Sequence, residues 1–174
     1  DNGGSRAMTA NNAPLRGFKG SLYEGGIRTP WVVSWPAKFK GGRVIDTPVI
    51  SLDILPTVLE ATGAKPPIKT PFDGKSLLPL LTGKTTAHHP ALYWHNGEAK
   101  DEWAIRQGQF KVHSLKGKNA LYDLAKDPSE TTNLAAKQPD KARELVQLHR
   151  VWHQAMMKSA KQEAQPCRQR KTDK

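Results

Sequence analysis

Cysteine is almost missing from these 174 residues: Cys167 stands alone. That excludes an internal disulfide and any cysteine-built zinc site. Long hydrophobic runs are missing as well; no stretch of about 18 apolar residues occurs, so no transmembrane helix is expected. Apolar residues make up 37% of the chain, below the roughly 45–50% usual for globular domains. Acidic residues are scarce beside basic ones, 16 against 27, leaving a net charge of +11. No G-x-S-x-G elbow is present, so a Ser/His/Asp hydrolase of that type has no nucleophile. Gly20-Ser-Leu-Tyr-Glu-Gly25 has the glycine spacing of a phosphate loop, but Gly26 occupies the place where that loop needs lysine. Neither an initiator Met nor a signal-type segment precedes Asp1-Asn2-Gly3-Gly4, and the chain reads as the interior of a longer protein.

What is present begins with turns, supplied by 14 glycines and 13 prolines. The positive charge is spread over the whole length. Only the stretch from Lys158 to Lys174 is concentrated, and residues 165–174 read as a basic disordered tail. Such a field favours anionic ligands in general, sulfated or phosphorylated, without selecting one.

Local patterns divide the rest. Trp31-Val-Val-Ser-Trp35, bounded by Pro30 and Pro36, reads as a buried strand. Residues 53–63 carry apolar side chains at helical spacing, with Asp53 as N-cap and Gly63 as C-terminal stop. Ser76-Leu-Leu-Pro-Leu-Leu81 is a short apolar turn. Four β-prone runs follow, at 91–94, 103–106, 110–113 and 120–123. Gln107-Gly108-Gln109 reads as a three-residue hairpin loop and Leu115–Asn119 as a second turn. From Pro139 to about Ala164 the period is helical again. The expected architecture is an α/β segment over residues 1–85, a small α+β unit over 86–164 with a four-stranded antiparallel sheet and a C-terminal helix, then the tail.

Several residues carry possible chemistry. His149 and His153 lie at i, i+4 on the last helix, but no H-E-x-x-H pattern surrounds them, and they read as a solvated face. His88-His89 before Pro90 read as exposed loop residues, and Cys167 as inert tail. Asp1 and Asn2 are adjacent hard-oxygen donors followed by two glycines, a set that can wrap a cation such as Ca²⁺ or Mg²⁺ but is also an ordinary turn sequence. In Leu15-Arg-Gly-Phe-Lys-Gly20 the glycines allow a ligand or another backbone close to Lys19, a point charge suited to a tetrahedral anion. Glu24-Gly-Gly-Ile-Arg28-Thr-Pro30 then runs into the expected strand.

Taken in order, these pieces resemble the C-terminal part of a type I sulfatase, the formylglycine-dependent arylsulfatase family. The resemblance rests on Asp1-Asn2-Gly3, Pro14–Gly20, Leu22–Arg28, Pro30 and Trp35-Pro36. It continues through Ser51–Thr57, Asp73–Leu78, Pro79–Leu81, Trp103–Arg106 with Phe110-Lys111, and Leu121–Leu124 with Asp127-Pro128, Glu130 and Asn133-Leu134, reaching about residue 160. Phe18 departs from the pattern, since a small residue is common there.

The resemblance implies an alkaline-phosphatase-like fold and hydrolysis of an aryl or carbohydrate sulfate ester. In that family a formylglycine hydrate attacks sulfur while a divalent cation, usually Ca²⁺, polarises the sulfate oxygens. By this likeness Asp1 and Asn2 match metal ligands and Lys19 matches the lysine that holds sulfate. The C/S-x-P/A-x-R nucleophile motif does not occur here, so the formylglycine is expected upstream and the chain alone is expected to be inactive. His95, in the polar and aromatic loop 88–97, is a further expected substrate contact. The expected partners are a sulfated small molecule or carbohydrate and the upstream part of the same enzyme, with no nucleic acid and no membrane. A periplasmic or secreted location is expected for the longer protein. Alternatives are a phosphate or phosphonate ester hydrolase of the same superfamily, and a non-catalytic basic module binding anionic polymers.

Overall fold

A computed structural model describes residues 2–66, 71–97 and 99–163. The tail at 165–174, with Cys167, and the metal-ligand candidate Asp1 lie outside them. The chain divides into two compact units, one joining Asp1–Thr29 to Tyr93–Lys174 and the other comprising Pro30–Leu92.

In the first unit, β1 (Leu92–His95), β2 (Glu102–Gln107), β3 (Phe110–Leu115) and β4 (Lys118–Asp123) form a meander in sequence order. Turn chemistry sets its register. Lys116 and Gly117 both have positive φ, 50° and 71°, between the paired residues Leu115 and Lys118. Two left-handed residues make the tight turn whose twist matches the flanking strands. Gln107 pairs with Phe110, so the preceding loop is only Gly108-Gln109, one residue shorter than the sequence suggests. Gly108 takes the positive φ that this tighter turn demands at its first position.

Side chains alternate across the sheet, so it has two faces of different character. Ile105, Val112 and Leu121 are opposite one another and fully buried. They face α4 (Pro139–Glu163), whose Leu145 is equally buried. The other face carries Glu102, Arg106, Lys111, His113 and Tyr122, and on it lies the chain's own segment 14–27, including α1 (Glu24–Ile27). A sheet buried on an apolar face and on a charged face needs every polar group partnered. That requirement is what positions the segment carrying Lys19.

The second unit contains α2 (Ile54–Thr62) and α3 (Leu78–Leu81). Gly63 ends α2 at φ 70°, the left-handed stop expected of it. Asp53 stands at the N-cap position of α2 as expected, but its side chain makes no capping bond to the helix. A 3₁₀ turn, Ser51–Asp53, precedes the helix, and the Asp53 carboxylate instead accepts the backbone N–H groups of Ile50 (2.9 Å) and Lys75 (2.8 Å). Residues 31–35 form no strand among the described residues, and Val32 is 90% exposed. β-prone composition favours a strand only where a partner supplies the ladder; no described segment pairs with it. No described helix is long and apolar enough to cross a membrane.

Candidate functional site

Lys19 sits in a loop built by close backbone approach. Its N–H donates to the carbonyl of Gly4 (3.1 Å), and Gly3 N–H donates to Gly26 O (3.0 Å). The segment beginning at Asn2 is therefore held beside the Lys19 loop. Glycine is needed for this contact: a Cβ on Gly3 would stand 1.9 Å from Gly25 O, and one on Gly26 would stand 2.2 Å from Ser21 O. The close backbone approach is thus made at Gly3 and Gly26, whereas a Cβ on Gly17 would meet the side chains of Ser21 and Tyr23 and one on Gly20 only Lys100 Nζ at 4.0 Å. Asn2 and Lys19 are both exposed.

Asn12, which sequence reasoning did not single out, ties the loop together. Its side-chain oxygen accepts Gly4 N–H (3.2 Å), while its amide nitrogen donates to the carbonyls of Gly4 (3.1 Å), Gly17 (3.0 Å) and Gly25 (3.1 Å). Nothing local marks this residue, because its partners, Gly4, Gly17 and Gly25, come from three separate positions along the chain.

Below the loop runs a buried polar network. Glu24 pairs with Lys111 (2.9 Å), Lys111 with Glu130 (2.9 Å), and Glu130 accepts the Glu24 N–H (2.6 Å). Arg106 lies 3.5 Å from Glu24 on its outer side. Burial pushes the Glu130 carboxyl up, and Lys111 partly counteracts it. Beside this, Glu102 accepts Leu22 N–H (2.9 Å), Asn96 (2.7 Å) and His113 (2.9 Å). Burial would raise the Glu102 carboxyl, but these donors outweigh it and hold it low. His113 is shifted down chiefly by burial and also packs edge-on against Tyr23 (4.1 Å). The alternation Phe110-Lys-Val-His-Ser114 places Lys111 and His113 on one face opposite Val112, which is the only sequence signal of a charged interior.

The turn after β1 reaches the same loop: Lys100 donates to Gly20 O at 3.2 Å and Asn96 at 3.4 Å. His95 itself turns to the helix. Its ring stacks on His153 (4.3 Å) and lies 6.0 Å from His149, which in turn stacks on Trp103 (4.1 Å). His149 is 4% exposed, so the expected solvated face is instead the seam between α4 and the sheet. His88 and His89 lie in a loop as expected, but their side chains are only 5% and 8% exposed rather than solvent-facing.

Burial, with lesser repulsion from His95 and His153, drives His149 down to about 4 from 6.5, despite a hydrogen bond to the Trp94 backbone. A histidine depressed on folding is protonated first in the unfolded chain, so stability falls as pH drops. The expected loss is on the order of 3 kcal/mol between pH ~6.5 and ~4. Urea unfolding at stepped pH checks it: His149→Phe should flatten the slope in that window, and an unchanged slope rules the assignment out.

Comparison with known proteins points to one family. The family described as N-sulphoglucosamine sulphohydrolase, C-terminal, matches residues 18–161. Steryl-sulfatase of Mus musculus is 31% identical over 172 aligned residues, covering 80% of this chain and 27% of that protein. Arylsulfatase A of Homo sapiens is 34% identical over 146, covering 69% of this chain and 28% of its own length. The crystal structure of Ps i-CgsB in complex with k-i-k-neocarrahexaose superposes with a TM-score of 0.77 at 28% identity, over 87% of this chain and 34% of that one. The chain therefore spans about a third or less of the length of the proteins it matches.

Proposed function

The chain belongs to the sulfatases, whose C-terminal region it matches, and from that premise we propose that it completes the active site of an enzyme cleaving an aryl or carbohydrate sulfate ester. Lys19 holds the sulfate in this reading. Its compact ammonium balances negative charge on the transferring group and on the departing oxygen. Asn2, with Asp1, would hold a divalent cation, Ca²⁺ or Mg²⁺. The donor chemistry fits, because Asn2 is exposed and carries a neutral hard oxygen on a backbone anchored through Gly3 and Gly4. When bound, such a cation supplies Lewis acidity toward a sulfate oxygen. Two oxygen ligands are too few for either ion, and the remaining ligands and the formylglycine nucleophile come from the upstream part of the enzyme. That part also covers the apolar groove of the second unit, lined by Trp31, Val33, Phe39, Val44, Leu77 and Leu80.

The observation that carries this reading is the Gly4–Lys19 backbone bond with Asn12 bracing both strands of the loop, since it keeps the cation-binding segment beside the lysine. The test is kinetic. The purified 174-residue chain should not hydrolyse a chromogenic aryl sulfate. Joined to the upstream part, it should do so and prefer the sulfate to the matching phosphate ester. Turnover by the isolated chain, or a preference for phosphate, would reject the proposal.

A further inference from the structure

We propose that Asp53, His88 and His89 form a binding site for a zinc-type divalent transition metal. Among the described residues, only these three acidic, histidine or cysteine side chains bring their ligand atoms within 4.8 Å of one another. His89 Nε2 lies 2.7 Å from Asp53 Oδ1 and His88 Nε2 lies 3.2 Å from Oδ2, with the two imidazole rings edge to face at 4.4 Å. All three side chains are more than nine-tenths buried.

The second observation is His88 Nε2 itself, a buried nitrogen that makes no hydrogen bond. It approaches a carboxylate oxygen closely, yet not along a hydrogen-bonding direction. A buried polar atom in that position requires a partner, and a cation between nitrogen and oxygen supplies one. Burial shifts His88 down, favouring the neutral imidazole that can act as a ligand.

The donor set selects the ion. Two imidazoles and one carboxylate suit Zn²⁺ and its neighbours, whereas Ca²⁺ and Mg²⁺ take oxygen. Three protein ligands leave a fourth position for water. The Asp53 carboxylate is already oriented by the N–H groups of Ile50 and Lys75, the outer hydrogen bonds that ligating carboxylates commonly keep. The exposed Lys75 lies nearby, its ammonium 3.5 Å from His88 O, and it can swing toward solvent. The other histidine group, His95, His149 and His153, is the competitor. Its rings are stacked within 13° of parallel, so their in-plane lone pairs do not converge on one point. The bound ion would join the start of α2 to the segment before β1.

The test uses the untagged chain after chelator dialysis. Zn²⁺ titrated by calorimetry should bind with a stoichiometry of one, and Co²⁺ should give the intense visible absorption of a tetrahedral site. His88→Ala and His89→Ala should each weaken binding at least about tenfold, while His153→Ala leaves it unchanged. His88→Gln, similar in bulk but without imidazole nitrogen, provides the same loss where truncation disturbs folding, and circular dichroism identifies that case. No stoichiometric binding, binding that survives in the His88 variants, or binding abolished by His153→Ala overturns the proposal.

Discussion

Lys111→Ala should destabilise the unit built on the four-stranded sheet by about 3–5 kcal/mol, the largest stability effect expected of any single substitution here. Lys111 is fully buried and lies 2.9 Å from both Glu24 and Glu130. Removing its ammonium leaves two carboxylates facing each other in an interior that cannot solvate them. Two such charges cannot stay ionised side by side, so one takes up a proton or the segment around Glu24 lifts from the sheet. The cost is not the worth of the ion pair, which is small once desolvation is counted; it is the cost of the charges left behind. Lys111→Met combined with Glu24→Gln should therefore recover part of the loss. Denaturant unfolding of the three proteins measures this, and a loss below about 1 kcal/mol for Lys111→Ala would mean that water reaches the cluster. Because Glu24 is close in sequence to Lys19, the same substitution should also loosen the Lys19 loop.

In the complete enzyme, Lys19→Ala should lower kcat/KM for an aryl sulfate about 10²–10³-fold, the range found when one charge-stabilising group is removed from a reacting centre. The fall should lie mainly in kcat, since a cation opposing charge that develops during transfer acts more on the transition state than on the bound ester. Lys19→Arg should rescue only partly, because a planar guanidinium does not reproduce a compact ammonium. Neither change touches the Lys19 N–H bond to Gly4, so folding should be preserved, and a melting curve checks that. A change smaller than about threefold in kcat/KM would remove Lys19 from the chemistry.

Regular elements are legible because their causes are local. The helix at 54–62 ends at Gly63, where a left-handed residue is required. The hairpin at Lys116-Gly117 closes on two positive φ angles, and α4 follows from its apolar period. The order of short motifs also points to the sulfatases. The departures share one origin. The polarity of their neighbours places His149, His88 and His89 in solvent, yet His149 stacks on Trp103 of the sheet, and His88 and His89 both lie against Asp53. Residues 31–35 have strand composition without a described partner to make a ladder. Asn12 carries no local mark of being a structural centre, and Lys111 only its place opposite Val112 in the strand alternation.

The four strands, α2, α4 and the family follow from the chain pattern alone, since φ preferences, side-chain period and motif order act over a few residues, whereas the short α1 lies in what that pattern reads as loop. Tertiary structure alone decided which polar groups are buried and what they touch. Glu24 meets Lys111 across 87 positions, and Leu22 meets Glu102 across 80. Burial is a property of what covers a side chain, and a chain pattern records nothing of a cover that arrives from so far away.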